Sequence, residues 1–158
     1  MNAWVYTLPA GEIMIAEDND AIVEISFTAE LAEHAERKES PLLKRCYQQL
    51  LEYFKGQRTE FDLPLSPKGS AFQQTVWQAL RTIPYGEVRS YGDIARQIGN
   101  PKACRAVGGA NNRNSIAIVI PCHRVIGANG QLVGYGGGLD KKEMLLELEQ
   151  RVMEGKTC

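Results

Sequence analysis

Ser90-Tyr-Gly-Asp-Ile-Ala-Arg-Gln-Ile-Gly-Asn-Pro-Lys-Ala-Cys-Arg-Ala-Val-Gly-Gly-Ala110 is the stretch on which the fold turns. Ser90 with Asp93 three residues later is a capping box, and it opens a short helix over 91–98 that Gly99 closes. Asn100-Pro101 caps a second helix, predicted from 102 to about 111. Two helices joined by a Gly-Asn-Pro turn, the second carrying Lys102 and Arg105, match a helix-turn-helix. That second helix is uncomfortable, because two interior glycines, Gly108 and Gly109, each cost about 1 kcal/mol relative to alanine. Something therefore comes close to it. One reading is tight packing inside the domain. The other is a nucleic-acid groove: a minor groove is about 6 Å wide and a helix roughly 10–12 Å across, so docking there needs a face of small residues. Ala103, Ala106, Gly109 and Ala110 supply part of such a face, and Arg105 lies beside it, placed to meet phosphate or to fill space in a base stack.

Upstream, Ser70 with Gln73 makes another capping box for a helix running to 82, with Phe72, Val76, Ala79, Leu80 and Ile83 on its apolar stripe; Pro84-Tyr85-Gly86 ends it. The preceding Phe61-Asp-Leu-Pro-Leu-Ser-Pro-Lys-Gly69 reads as a linker, dividing the chain into domains 1–65 and 66–158. In the first domain, strands are predicted over 4–8, 12–16 and 21–27, with Glu17-Asp18-Asn19-Asp20 as a turn, giving an antiparallel meander. Ser40-Pro41 then starts a helix whose Leu43, Cys46, Tyr47, Leu50 and Phe54 recur at helical spacing until Gly56, and which covers one face of the sheet. The fold class is α/β of the α+β kind: a small antiparallel sheet with a helix, followed by a helical domain.

Downstream, Ile116-Ala-Ile-Val-Ile120 reads as an apolar strand leading into Pro121-Cys122-His123-Arg124-Val125 and a glycine-rich loop, Gly134-Tyr-Gly-Gly-Gly138. An isolated cysteine after an apolar run is commonly inert core, and a lone histidine commonly a hydrogen-bonded structural residue. Here the two meet on a turn, with an arginine ahead and glycines leaving room for a ligand. In that setting a thiol of lowered pKa is expected, suited to a nucleophile, with a bridging water as the easier proton path to the adjacent His123. A zinc site is disfavoured, since the chain has only His34 and His123 and no short-spaced cysteines; no phosphate-cradling glycine motif precedes a helix. Cys46 and Cys158 read as structural or incidental, and Cys104 as a small buried hydrophobe. Asp140 with Glu143 caps a terminal helix carrying Leu145, Leu146, Leu148 and Val152.

Composition agrees with a globular protein. Of 158 residues, 44% are apolar and 23% charged, which excludes disorder, collagen and coiled coil. No apolar run approaches the roughly 20 residues of a membrane span, and Met1-to-Ala10 lacks a basic start followed by an apolar stretch, so a cytosolic location and no membrane contact are expected. The formal charge of −1 hides an asymmetry: residues 1–66 sum to −6 and residues 67–127 to +6. Either the basic half faces a polyanion or its arginines are scattered over solvated faces.

Pro121-Cys-His-Arg-Val125 joins Ile83-Pro-Tyr-Gly-Glu-Val88, Ser90-Tyr-Gly-Asp-Ile-Ala95, Arg105-Ala-Val-Gly-Gly-Ala110, Gly136-Gly-Gly-Leu139 and Lys142-Glu-Met-Leu-Leu-Glu-Leu-Glu149 in a continuous resemblance to the O6-alkylguanine-DNA alkyltransferases, also called methylated-DNA protein-cysteine S-methyltransferases. The resemblance covers about 70–150; residues 1–65 fit the family as a strand-and-helix domain of the right size. It implies a ribonuclease H-like first domain, a winged helix-turn-helix second domain, and irreversible, single-turnover transfer of an alkyl group from O6-alkylguanine in DNA to the protein, with O4-alkylthymine a further candidate. Cys122 would be the acceptor, His123 the base acting through water, Glu149 the group orienting His123, Tyr91 the proton donor to guanine N3, and Asn114 the support of the cysteine turn. The carbonyls of Cys122 and Val125 would receive the guanine amino group, with Tyr135 and Gly136 completing the substrate site. The helix after the turn would enter the minor groove of double-stranded DNA through Ala103, Ala106, Gly109 and Ala110, aided by Arg113, while Arg105 fills the stack vacated by a flipped nucleotide. No cofactor and no metal are implied, and a monomer is expected. Gly136 stands where some members have serine, removing a hydroxyl contact. Two rivals are a non-enzymatic lesion binder, which would lack the cysteine, and a helix-turn-helix regulator with an incidental thiol.

Overall fold

Alternating apolar and polar residues at the start of the chain form three antiparallel strands, β1 (Asn2–Leu8), β2 (Gly11–Asp18) and β3 (Ala21–Ser26). Asn19 and Asp20 take positive φ of 50° and 62°, the two-residue hairpin geometry that suits the twist of the flanking strands. A two-residue strand, β4 (Glu36–Arg37), adds parallel to β1, giving the order β3-β2-β1-β4. Sequence patterning missed β4 because two charged residues carry no strand signal. The computed structural model describes residues 1–135 and 137–155.

Helix α1 (Pro41–Phe54) starts as expected, with Ser40 Oγ accepting the Leu43 N–H at 3.2 Å and proline at the first helical position. It lays Leu43, Cys46, Leu50 and Tyr53 against the sheet. Segment 55–70 then returns along β3, where the Ile22 N–H donates to the Pro64 carbonyl and the Ser66 N–H to the Ile22 carbonyl, both at 2.8 Å.

The second half contains α2 (Ala71–Leu80), β5 (Arg89–Ser90), α3 (Tyr91–Gln97), α4 (Cys104–Asn112), β6 (Val125–Ile126) and α5 (Leu139–Met153), with β5 and β6 paired in parallel. Both halves of each capping box, at Ser70 with Gln73 and at Ser90 with Asp93, are formed. Trp77 in α2 is buried and its indole N–H reaches the Ala110 carbonyl of α4 at 2.9 Å. The larger of two apolar clusters runs through both halves, from Ile13, Ile25 and Tyr53 to Val107, Ile120 and Leu145, and the smaller, of Ala3, Met14, Ala16 and Val23, lies within the sheet.

Three expectations need correction. Helix α4 starts at Cys104, because Asn100 to Ala103 form a turn closed by the Ala103 N–H on the Asn100 carbonyl at 3.0 Å, with Pro101 at the position where its fixed φ suits a turn. Helix α5 starts at Leu139 behind Gly138, whose φ of +99° ends the loop; Asp140 lies in the first turn and caps nothing. Residues 116–120 are not a strand. Ile116 makes one bridge to Ile25, after which the chain turns, with Ile118 at φ +71°. Ile116, Ile118 and Ile120 are all buried, so the hydrophobic gain of three inward isoleucines outweighs the strain of a left-handed β-branched residue.

Candidate active site

Those turns place Cys122. Asn114, just after α4, accepts the Ile116 N–H at 3.0 Å and directs its amide nitrogen to the Ile120 carbonyl at 2.9 Å, the Ile116 carbonyl at 3.2 Å and Cys122 Sγ at 3.2 Å. One side chain thus closes the turn and donates to the sulfur. Cys122 begins a single 3-10 turn through Arg124 and is 5% exposed. Burial pushes its pKa up, opposed by the Asn114 hydrogen bond and the charge of Lys142. The expected lowering is therefore not found; a thiol held in this way needs a base to become a nucleophile.

His123 is fully buried, and its Nε2 lies 2.6 Å from Glu149 Oε2. Glu149 accepts, so Nε2 carries the proton and Nδ1 the lone pair, and Nδ1 has no hydrogen-bond partner among the described residues. Burial pushes the His123 pKa down, against the pull of Glu149, so the ring is neutral near pH 7. Glu149 itself collects five donors: Tyr53 Oη at 2.6 Å, His123 Nε2, Arg124 Nε at 2.8 Å, Arg124 Nη2 at 3.1 Å and the Gly86 N–H at 3.1 Å. Burial alone would raise this carboxyl, yet His123 and Arg124 outweigh it and hold the pKa at about 2.

Arg124, Tyr53 and Lys142 were not among the residues expected here. Arg124 belongs by charge to the basic half, whose arginines either face a polyanion or lie on solvated faces, yet it is buried, with Nη1 on the Ile83 carbonyl at 2.8 Å. Tyr53 was legible in principle: it extends the α1 stripe of Leu43, Cys46 and Leu50, and a buried tyrosine must find a partner for its hydroxyl. Lys142 is wholly buried, its Nζ donating to the Val133 carbonyl at 2.9 Å, and burial pushes its pKa down.

Tyr91 opens α3 and donates to the Val133 carbonyl at 2.9 Å. Val125 is buried in β6 opposite Arg89. Tyr135 is half-buried, its hydroxyl shielded from solvent and without a hydrogen bond among the described residues, and its ring lies 6.2 Å from Phe27 at the end of β3. Gly136 and Cys158 lie outside the described residues. A cavity of about 250 Å³ is lined by Cys122, Asn114, Tyr135, Phe27 and Asn112; Asn112 also borders a wide concavity in front of α4, lined by Tyr91, Lys102, Arg105 and Gly109.

On α4, Arg105, Ala106 and Gly109 are exposed and Ala103, its N-cap, is half-buried; Arg113, its C-cap, is exposed. Ala110 turns inward at 3% exposure, so it drops out of the small face, its place being taken by core packing against Trp77. Cys104 is exposed, at the first turn of the helix, and is not the buried hydrophobe expected. A Cβ on Gly109 would meet nothing within 4 Å, and one on Gly108 only the Tyr91 ring at 3.9 Å, an ordinary contact. Packing inside the protein therefore requires neither glycine. Among the described residues no group of three or more His, Cys, Asp or Glu side chains is arranged to hold a metal, and no helix is long and apolar enough to cross a membrane.

Comparison with known proteins matches both halves of the chain. Residues 3–67 match the family described as 6-O-methylguanine DNA methyltransferase, ribonuclease-like domain, and residues 71–151 its DNA binding domain. The chain is 49% identical over 150 residues to the methylated-DNA–protein-cysteine methyltransferase of Methanosarcina acetivorans, covering 92% of this chain and 96% of that one. It is 51% identical over 150 residues to the constitutive enzyme of that name from Bacillus subtilis, covering 90% and 91%. The crystal structure of Mycobacterium tuberculosis OGT in complex with DNA superposes with a TM-score of 0.90 at 45% identity, over 96% of this chain and 94% of that one.

Proposed function

The chain belongs to the 6-O-methylguanine DNA methyltransferase family, and from that premise we propose that it binds and repairs alkylated DNA by direct reversal, a methylated-DNA protein-cysteine methyltransferase whose acceptor is Cys122. The observation that carries this assignment is the placement of Cys122 at a cavity beside the exposed glycine helix, next in chain to a neutral histidine held by an ionised glutamate.

In the proposed reaction, His123 Nδ1 draws the thiol proton through a water, and Cys122 Sγ attacks the alkyl carbon. The S–C bond forms as the C–O6 bond breaks, and the electron pair goes to guanine. Tyr91 leaves the Val133 carbonyl and protonates guanine N3, so the base departs neutral. Proton balance closes when the His123 proton returns to Tyr91 through solvent. The carbonyls of Cys122 and Val125 hold the exocyclic amino group, with Tyr135 and Gly136 completing the pocket. A thioether does not hydrolyse, so each molecule acts once. We assign Cys122, His123, Glu149, Tyr91 and Asn114 to catalysis. We place the protein in the cytosol as a monomer of two domains, 1–65 and 66–158, acting on O6-alkylguanine and, as a further candidate, O4-alkylthymine.

Double-stranded DNA meets α4 in its minor groove, Ala103, Ala106 and Gly109 giving the clearance, Arg113 adding charge, and Arg105 occupying the stack of the flipped nucleotide. The open space at Gly109 supports this reading, because its helix cost is not offset within the protein. Gly109→Gln is accordingly expected to leave the protein as stable as before or slightly more so, by up to about 1 kcal/mol, while duplex binding weakens at least about tenfold. Thermal unfolding and fluorescence anisotropy on one preparation measure both; unchanged binding would exclude this face from the contact.

Incubation with duplex DNA bearing O6-methylguanine tests the whole reading. One methyl group is expected on the Cys122 peptide by mass spectrometry, with no more than one equivalent transferred per protein. Repeated turnover, or a methyl group on another residue, contradicts it.

A further inference from the structure

Tyr53 lies in α1, 96 residues before Glu149, and is fully buried. Its hydroxyl reaches Glu149 Oε2, the same oxygen that holds His123, and both contacts are 2.6 Å long. The ring is fixed on several sides, by Phe54 and Tyr85 at near right angles and by Phe61. The first domain therefore inserts a neutral hydrogen-bond donor into the machinery of the second. We propose that Tyr53 is a positioning residue for alkyl transfer: by sharing Glu149 Oε2 with His123 it fixes the carboxylate and limits how strongly that carboxylate favours the protonated imidazole. This rests on the roles given above to His123 and Glu149.

A carboxylate offers about four lone-pair directions, and this one already faces five donors. Each donor draws on the negative charge that would otherwise stabilise imidazolium. Arg124 does so as a cation and Tyr53 as a dipole. Among the described residues the other ionisable groups around His123 and Glu149 are Lys142 on α5, the Cys122 thiol and Tyr135, with Tyr85 stacked under the Arg124 guanidinium at 5.5 Å. Lys142 and Arg124 both disfavour imidazolium, whereas Glu149 alone favours it. Removing the Tyr53 hydroxyl leaves Glu149 more charge to offer His123, so the imidazole becomes easier to protonate. Alkyl transfer needs neutral His123; its rate falls as pH drops through the folded pKa of that ring, and the fall must begin at higher pH when Tyr53 Oη is absent.

Tyr53→Phe keeps the ring and its contacts. In single-turnover transfer from O6-methylguanine duplex, it is expected to move the acid limb of the pH–rate profile upward by about half a unit to one unit, with the plateau within about threefold of the parent. The same substitution made on Glu149→Gln is expected to move the limb no further. Tyr6→Phe is the control: it removes another tyrosine–carboxylate bond, Tyr6 Oη to Glu39 at 2.5 Å, away from the site, and must leave the limb in place. An unmoved or lowered limb in Tyr53→Phe overturns the inference, as does an equal shift in Tyr6→Phe. If Glu149→Gln by itself leaves the rate and the limb at parent values, the role of Glu149 falls and the inference with it; a Glu149 effect without a Tyr53 effect removes only the inference.

Discussion

Cys122→Ser is expected to lose alkyl transfer by at least about 10⁴-fold at every pH, equivalent to about 5.5 kcal/mol of barrier, while binding damaged duplex within about threefold of the parent. A serine hydroxyl is far less acidic and less nucleophilic than a thiol. The expectation is unusually strict here because burial has already raised the thiol pKa, so the site has no spare reactivity to give away. The other described thiols cannot substitute. Cys46 is sealed in the core with its pKa pushed up to about 12. Cys104 is exposed on α4 and shares no hydrogen bond with His123, whose Nε2 is taken by Glu149. Transfer of a labelled methyl group to Cys122→Ser, read beside Cys104→Ser as a variant expected to react normally, decides the point; label on the serine variant would show that another residue is the acceptor.

Glu149→Ala is expected to destabilise the fold by about 3–5 kcal/mol, since it strands a buried guanidinium along with the Tyr53 hydroxyl and the Gly86 N–H. Arg124 cannot escape cheaply, because its other end is fixed on the Ile83 carbonyl. Urea unfolding of parent and variant measures the loss; a change below about 1 kcal/mol would mean that the guanidinium reaches water unaided. The same network sets an acid limit. The Glu149 pKa of about 2 in the folded protein is depressed below the unfolded value of about 4.3. Its contribution to stability is therefore complete above roughly pH 4–5 and is lost as pH falls toward 2. In Glu149→Gln that part of the acid dependence should disappear.

Local chemistry was the part most readable from sequence. Capping boxes at Ser70 and Ser90, the proline start of α1 and the hairpin at Asn19-Asp20 are short-range devices, and each formed where its residues stand. The cysteine turn was recognisable from Pro121 to Val125. What could not be read was set by partners distant in the chain. Arg124 reads in sequence as one more positive charge of the basic half, because its partner Glu149 lies 25 residues on. Ala110 fell on the small face by spacing, but the turn at Asn100-Pro101 sets the start of α4, and Trp77 claims the Ala110 carbonyl. The run 116–120 has the composition of a strand, yet its isoleucines all face one core and the backbone bends to let them. The thiol pKa erred for a similar reason: neighbours in sequence suggested positive charge, whereas the dominant influence is exclusion from water.

The four-stranded sheet is closed along one of its two borders. One border, β3, is zipped to its own chain twice over, by residues 64–66 and by residues 115–117. The opposite border is β4, two residues long and charged at both. Open strand borders are templates on which a second polypeptide can add a strand; β3 offers none, whereas β4 covers only Asn2 and Ala3 of the seven-residue β1. A neighbouring copy joining at β3 would first have to unzip the very segment that leads from Asn114 into the cysteine turn, so strand addition at that border and an intact site exclude one another.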